Sequence, residues 1–207
     1  MIVGEAGKIP QNLTRIYLRV SPERLGALIG EGGKTLRDLE NRTQTIVSVD
    51  SVNSNVVIEA ATPQTPIDML LKASDFIKAI DAGFSPERAL RLLDEDAVLI
   101  IMNLKEIVGD SQSHLYRVKA RIIGEEGRVR TNIEQLTGAY ISIYDDLVAI
   151  IGDYEGAYLA REAIEMLVQG REHSTVYKFL NKKARELKRR RLTEYWVKDI
   201  NIKEMKS

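Results

Sequence analysis

The sequence predicts an α+β protein built from two copies of one small fold, each running strand, helix, helix, strand, strand, helix. Three observations predict it: an internal repeat, stretches of period-two alternation set between helical periodicities, and a glycine pair that interrupts a helix at the same place in each copy. The repeat aligns Ile29-Gly30-Glu31-Gly32-Gly33 with Ile123-Gly124-Glu125-Glu126-Gly127. The same offset superposes Leu39 on Ile133, Glu40 on Glu134, Thr43 on Thr137, Val47 on Ile141 and Val49 on Ile143. A shared loop alone does not carry that far.

In the first copy, Leu13 to Val20 alternates Ile16, Leu18 and Val20 with Arg15, Tyr17 and Arg19, the signature of a half-buried strand. Ser21-Pro22 opens a helix, because serine suits the cap and proline the first helical position, and Leu25, Leu28 and Ile29 form its apolar stripe. After the glycines a second helix carries Leu36 and Leu39. The β-branched runs Thr45 to Val49 and Val56 to Ala60 then form a hairpin around Asp50 to Asn55. Beyond Pro63 and Pro66, the residues Ile67, Leu70, Leu71, Ile77 and Ile80 recur at helical spacing until Gly83. Ser85-Pro86-Glu87 starts a short linking helix with Ala89, Leu90, Leu92 and Leu93 on an apolar face read as packing the halves together.

In the second copy the first strand is Ala97 to Leu104, followed by an inserted connection from Lys105 to Gln112. Leu115, Val118 and Ile122 fit a helix entering the glycine loop. A helix with Val129, Ile133 and Leu136 ends at Gly138. Strands Tyr140 to Tyr144 and Leu147 to Ile151 flank Asp145-Asp146, and a helix with Ala160, Ala163, Ile164 and Leu167 runs to Gly170. A last helix spans Thr175 to Arg191. The expected organisation is a tail at 1–12, a first domain at 13–83, a linker helix at 84–95, a second domain at 96–170 and a basic helix and tail at 171–207.

Composition narrows the chemistry. The 207 residues are 44% hydrophobic and 29% charged, enough for one large domain or two small ones. No unbroken apolar run approaches the roughly 18 residues of a membrane span, and Met1 to Pro10 lacks a secretion signal, so a cytoplasmic protein with no membrane partner is expected. Zero cysteines exclude disulfides, thiolate metal sites and a cysteine nucleophile, and two histidines are too few for an ordinary zinc site. No metal and no cofactor are expected. The net charge of zero hides an asymmetry: Lys178 to Arg191 holds eight basic residues and one acid, Glu186.

Two readings of the glycine loops stand at this point: plain helix-to-helix turns, or phosphate sites. Glycines let a nucleic-acid backbone approach within hydrogen-bonding distance, and the following helix presents free amides and a positive dipole end. The order of elements around both loops resembles the type I KH module of single-stranded RNA- and DNA-binding proteins. The resemblance implies two tandem KH domains, each clamping about four nucleotides between its loop and its second strand. By position, the first groove uses Gly30, Glu31, Gly32, Gly33, Lys34 and Arg37, with Ile46 to Val49 opposite. The second uses Gly124, Glu125, Glu126, Gly127, Arg128 and Arg130, with Ile141, Ser142 and Ile143 opposite. Loops of that family commonly carry a basic residue between the glycines, whereas Glu31 and the pair Glu125-Glu126 repel phosphate; Lys34, Arg128 and Arg130 are read as offsetting them.

Further stretches narrow the likeness: Gly83-Phe84-Ser85-Pro86-Glu87-Arg88-Ala89, Arg121-Ile122-Ile123-Gly124 and Ser174-Thr175-Val176-Tyr177. From about Thr14 to Arg191 the chain resembles the archaeal dual-KH ribosome-assembly factors related to the eukaryotic partner-of-Nob-one family. That resemblance implies an adaptor without enzymatic activity. It would bind the 3′-terminal region of small-subunit ribosomal RNA, mainly through the second KH module, beside the Nob-one endonuclease and with an initiation-factor-two α subunit as partner.

Other features carry two readings each. Lys188, Arg189, Arg190 and Arg191 either tether RNA phosphates or form a solvated basic helix end. Asp94-Glu95-Asp96 and Asp145-Asp146 are read as turn residues, the alternative being magnesium ligands of a metal-dependent RNA nuclease. His114 and His173 are read as structural, and Tyr195 and Trp196 as packing or partner-contact residues rather than base-stacking ones. A protein-interaction scaffold whose KH grooves no longer bind RNA is the remaining rival.

Overall fold

A computed structural model describes residues 14–204, the side chains of residues 191, 192 and 194–204 excepted. The expected tail at 1–12 and the side chains of Arg191, Tyr195 and Trp196 therefore lie outside the described residues. The chain divides into two compact units, the first ending at Asp81 and the second beginning at Ala82. None of the described helices is long and apolar enough to cross a membrane.

The first unit runs Arg15–Arg19 (β1), Pro22–Ile29 (α1), Lys34–Thr43 (α2), Thr45–Asp50 (β2), Asn55–Ala60 (β3) and Ile67–Asp81 (α3). Its antiparallel sheet has the order β1-β3-β2, which makes β2 an edge. Register pairs Leu18 with Val56, Ile16 with Ile58 and Val47 with Ile58, so one face carries the apolar residues against the helices. The other presents Arg15, Tyr17 and Arg19 to solvent. Two side-chain bonds tie α1 to the end of α3: Asp81 Oδ1 accepts from Ser21 N at 2.8 Å, and Arg24 Nε donates to Ile80 O at 2.8 Å.

The second unit opens with Pro86–Ala89 (α4), which tightens into a 3₁₀ turn to Leu93. Then come Ala97–Asn103 (β4), Leu104–Val108 (α5), Gln112–Ile123 (α6), Arg128–Thr137 (α7), Tyr140–Tyr144 (β5), Leu147–Asp153 (β6), Tyr154–Val168 (α8) and His173–Glu204 (α9). The sheet order β4-β6-β5 repeats the first unit, with β5 on the edge. Val148 and Ile150 face a core built from Leu115, Ile122, Ile133 and Ile164, which Val176 and Leu180 of α9 extend. Unlike β3, β6 is buried on both faces, because the 3₁₀ turn after α4 packs across β4 and β6 and covers Ala149 and Ile151.

Within the inserted connection after β4, Asn103 Oδ1 accepts from Lys105 N at 3.0 Å and caps the short helix α5. One expectation needs correction. The last helix begins at His173 rather than Thr175 and continues beyond Arg191 to Glu204.

Candidate nucleic-acid interface

Both glycine loops have one backbone conformation. Gly30 (φ 71°, ψ 176°) and Gly124 (φ 73°, ψ 175°) end their helices, the third positions Gly32 (54°, 25°) and Glu126 (51°, 25°) are left-handed, and so are Gly33 (78°, 15°) and Gly127 (77°, 9°). The first glycine is required twice over: its φ is positive, and a Cβ there would overlap the side chain of Thr35 or of Val129 and lie 2.9 Å from that residue's amide nitrogen. Glu126 holds a left-handed conformation at a cost of about 1–2 kcal/mol that Gly32 escapes. The amides of Gly33 and Lys34, and of Gly127 and Arg128, are taken up inside the loops by the carbonyls of Gly30, Glu31, Gly124 and Glu125, so what each loop offers an anion is the positive end of the helix that follows and a close backbone approach.

The helix that follows each loop packs beside an edge strand. Glu40 Oε1 accepts the amide of Val47 at 2.8 Å, and Glu134 Oε1 accepts that of Ile141 at 2.7 Å, so the two residues matched by the repeat do the same work. These bonds show that the amides of Val47 and Ile141 point away from the central strand. By the two-residue period, those of Val49 and Ile143 point the same way and line the open edge where a base can be read. Of the expected wall residues, Ile141 is buried in the core and Ile143 packs against it. Ser142 faces the opposite side, where its Oγ donates to Ala82 O at 2.9 Å, so its side chain lies outside the groove. Ile46 and Ser48 likewise project from the exposed face of the first sheet.

The loops differ in charge. Arg128 is engaged by the loop's own acids, at 2.8 Å from Glu126 and 3.9 Å from Glu125. Arg130 lies near Gly127, with a buried Nε that has no hydrogen-bond partner among the described residues. In the first loop, Lys34 and Arg37 are exposed without an ion pair among the described residues, and Glu31 is exposed beside them. Lys188, Arg189 and Arg190 are exposed on α9, and Arg190 pairs with Glu155 of α8.

Asp145 is left-handed (φ 48°) and completes a two-residue hairpin turn, but Asp146 is more than a turn residue. It is buried, 2.6 Å from Lys105 Nζ and 3.1 Å from Lys119 Nζ, and these bonds hold its carboxyl below the ordinary carboxylate value while raising Lys105. Asp94, Glu95 and Asp96 lie in a turn at the surface. His173 Nε2 is 3.1 Å from Arg121 O, at the start of α9.

Sequence reasoning missed Arg88 and Arg91 of the linker. Arg88 Nη1 lies 3.2 Å from Glu134 Oε1, Arg91 Nη1 donates to Gly138 O at 2.5 Å, and both guanidinium groups sit over the Tyr140 ring at 5.1 and 5.3 Å. The only available signal was two arginines three apart on a linking helix.

Residues 15–68 match the KH domain model, and residues 98–185 match the model described as a eukaryotic type KH domain, type I, the second of PNO1. The chain is 35% identical over 205 residues to the KH domain-containing protein MJ0443 of Methanocaldococcus jannaschii, covering 99% of this chain and 89% of that one. It is 30% identical over 175 residues to the pre-rRNA-processing protein PNO1 of Candida albicans, covering 83% of this chain but only 62% of that longer protein. Among solved structures, a protein of unknown function, APE0754 from Aeropyrum pernix, superposes with a TM-score of 0.87 at 50% identity, over 90% of this chain and 98% of that one. The a/eIF2alpha-aDim2p-rRNA complex from Pyrococcus horikoshii gives 0.79 at 39% identity, over 86% and 97%.

Proposed function

Because the chain belongs to the PNO1/Dim2 family of dual-KH proteins, we propose that it is a single-stranded RNA-binding adaptor of small ribosomal subunit assembly. Its ligand is the 3′-terminal region of small-subunit ribosomal RNA, taken mainly by the second groove. The observation that carries this reading is the double occurrence of one loop conformation, each leading into a helix that packs on an open strand edge. Phosphates lie against the loops Gly30 to Gly33 and Gly124 to Gly127 at the positive ends of α2 and α7, while bases pack on the apolar floor and meet the edge amides of Val49 and Ile143. The match of residues 98–185 to the second-KH model supports giving that groove the principal role, although local charge favours the first. Lys188, Arg189 and Arg190 add phosphate contacts that carry no base information.

Its work is binding, not catalysis. Asp146, one of the two carboxylates that a nuclease reading needs in the second hairpin, is taken up by Lys105 and Lys119. An initiation-factor-two α subunit and the Nob-one endonuclease are the protein partners, the first by analogy with the Pyrococcus complex. Competition decides the RNA reading: a short single-stranded RNA ending in the small-subunit 3′ sequence displaces a labelled copy, and a blunt duplex of the same sequence does not. Equal or tighter binding to the duplex overturns it, and recovery of proteins without a defined RNA footprint after crosslinking favours the scaffold.

A further inference from the structure

The wall strand of the second groove is braced from outside the KH fold. A single oxygen, Glu134 Oε1, accepts both the amide of Ile141 at 2.7 Å and Nη1 of Arg88 at 3.2 Å. The Arg88 side chain also lies against Tyr140, the residue before Ile141, and Arg91 holds the carbonyl of Gly138 just upstream. The start of β5 is thus fixed at residues 138, 140 and 141 by two arginines of the linker. The first groove has no such brace among the described residues: Glu40 makes the equivalent bond to Val47 at 2.8 Å and has no ion pair there.

The physical difference lies in the freedom of the glutamate. A carboxylate bonded to one neutral amide is free to change rotamer and release the strand edge. One that also meets a guanidinium is held by a second, charge-assisted bond to a group of opposite charge. The side chain of Glu134 is 14% exposed and that of Arg88 43%, so the pair is shielded chiefly at the carboxylate. Base reading at Ile143 depends on the edge being in place before RNA arrives, since any ordering left to the binding step is subtracted from affinity.

We propose that Arg88 is a positioning residue of the second RNA groove, holding the β5 edge in its reading position through Glu134. This rests on the function proposed above. Arg88 acts here through Glu134 and Tyr140 rather than through a phosphate, which the salt slope distinguishes.

The test uses the full chain with Arg88→Ala, Arg88→Lys and Glu134→Gln, each checked for fold by circular dichroism. Hydrogen exchange of the Ile141 amide is expected to quicken about tenfold in Arg88→Ala, the equivalent of one net hydrogen bond, while Val47 exchanges as before. Affinity for the single-stranded ribosomal 3′ RNA falls by a similar factor with the salt slope unchanged. Arg88→Lys recovers part of both losses. Glu134→Gln, which keeps the acceptor but not the charge, matches Arg88→Ala, and the double variant adds nothing further. An unchanged Ile141 amide in Arg88→Ala overturns the proposal. So does faster exchange with full RNA affinity, or a salt slope lowered by roughly 0.7, the mark of a lost phosphate contact. If the wild-type chain binds no single-stranded RNA, the functional reading fails, while exchange at Ile141 still decides whether the brace exists.

Discussion

The amide nitrogen of Val129 lies 2.9 Å from where a Cβ on Gly124 would stand, and Thr35 stands in the same relation to Gly30. The approach fixes the angle at which each helix pair meets, and it gives a direct expectation. Gly124→Ala and Gly30→Ala combine a positive φ at extended ψ, a region essentially reserved for glycine, with a steric overlap, so each should lose more than the roughly 1–3 kcal/mol of that backbone strain alone. Urea unfolding measures it. A loss below that figure would mean that the loop relaxes around the methyl group.

Glu126 offers the reverse experiment. It pays the left-handed penalty at a position where the first loop has Gly32, so Glu126→Gly should raise stability by up to about 1 kcal/mol. The same change frees Arg128 from its 2.8 Å partner and should tighten RNA binding. Stability and affinity are read separately, by denaturation and by fluorescence anisotropy, and a fall in either counts against the loop geometry.

Charge in the second loop should be tunable. Replacing Glu125 and Glu126 by Lys removes two acids and releases Arg128, so affinity should rise and the salt dependence steepen by about 0.7 for each further phosphate neutralised. Conversely, Gly124→Asp with Gly127→Asp should cost more specific binding than Gly30→Asp with Gly33→Asp. The opposite ranking would move the principal site to the first groove.

The basic face of α9 is expected to act without base preference. Replacing Lys188, Arg189 and Arg190 by Ala should weaken RNA binding and lower the salt slope by roughly 0.7 per phosphate released, while leaving relative sequence preference as it was. An unaltered slope and affinity would make these residues a solvated helix end.

Asp146 predicts an acid dependence. Its folded carboxyl titrates below its ordinary value of 3.8, so the stability it lends is complete above that value and is lost as pH falls through the lower, folded one. Lys105, raised above 10.5, keeps its share until strongly alkaline pH. The melting temperature of wild type should therefore exceed that of Asp146→Asn from neutral pH down to about 4, with the gap closing below. A constant gap down to about pH 2 would show that charge is not the cause.

Much of this is legible in the residues. The alternation of Ile16, Leu18 and Val20 against Arg15, Tyr17 and Arg19 marks β1 because one sheet face meets water, and the offset that joins Glu40 to Glu134 marks a bond made identically in both units. β6 is harder to interpret, since burial on both faces removes alternation and leaves a plain apolar run. Ser142 reads as a groove residue because a strand position says nothing of which face a neighbour will cover. Arg88, Arg91 and Asp146 act across 27 to 47 residues of chain, and no local pattern encodes such pairings.

The segment after Asp81 has a consequence for anyone transplanting the second KH module into another protein. Ala82 supplies an acceptor to Ser142, a Cβ on Gly83 would come within 2.7 Å of Ser142 Oγ and overlap Tyr144, and Leu92 is buried. A graft cut at the first strand, near residue 96, would strip one face of its sheet and expose Ala149 and Ile151. The portable unit begins at Ala82, and the apparent spacer between the two repeats travels with the second of them.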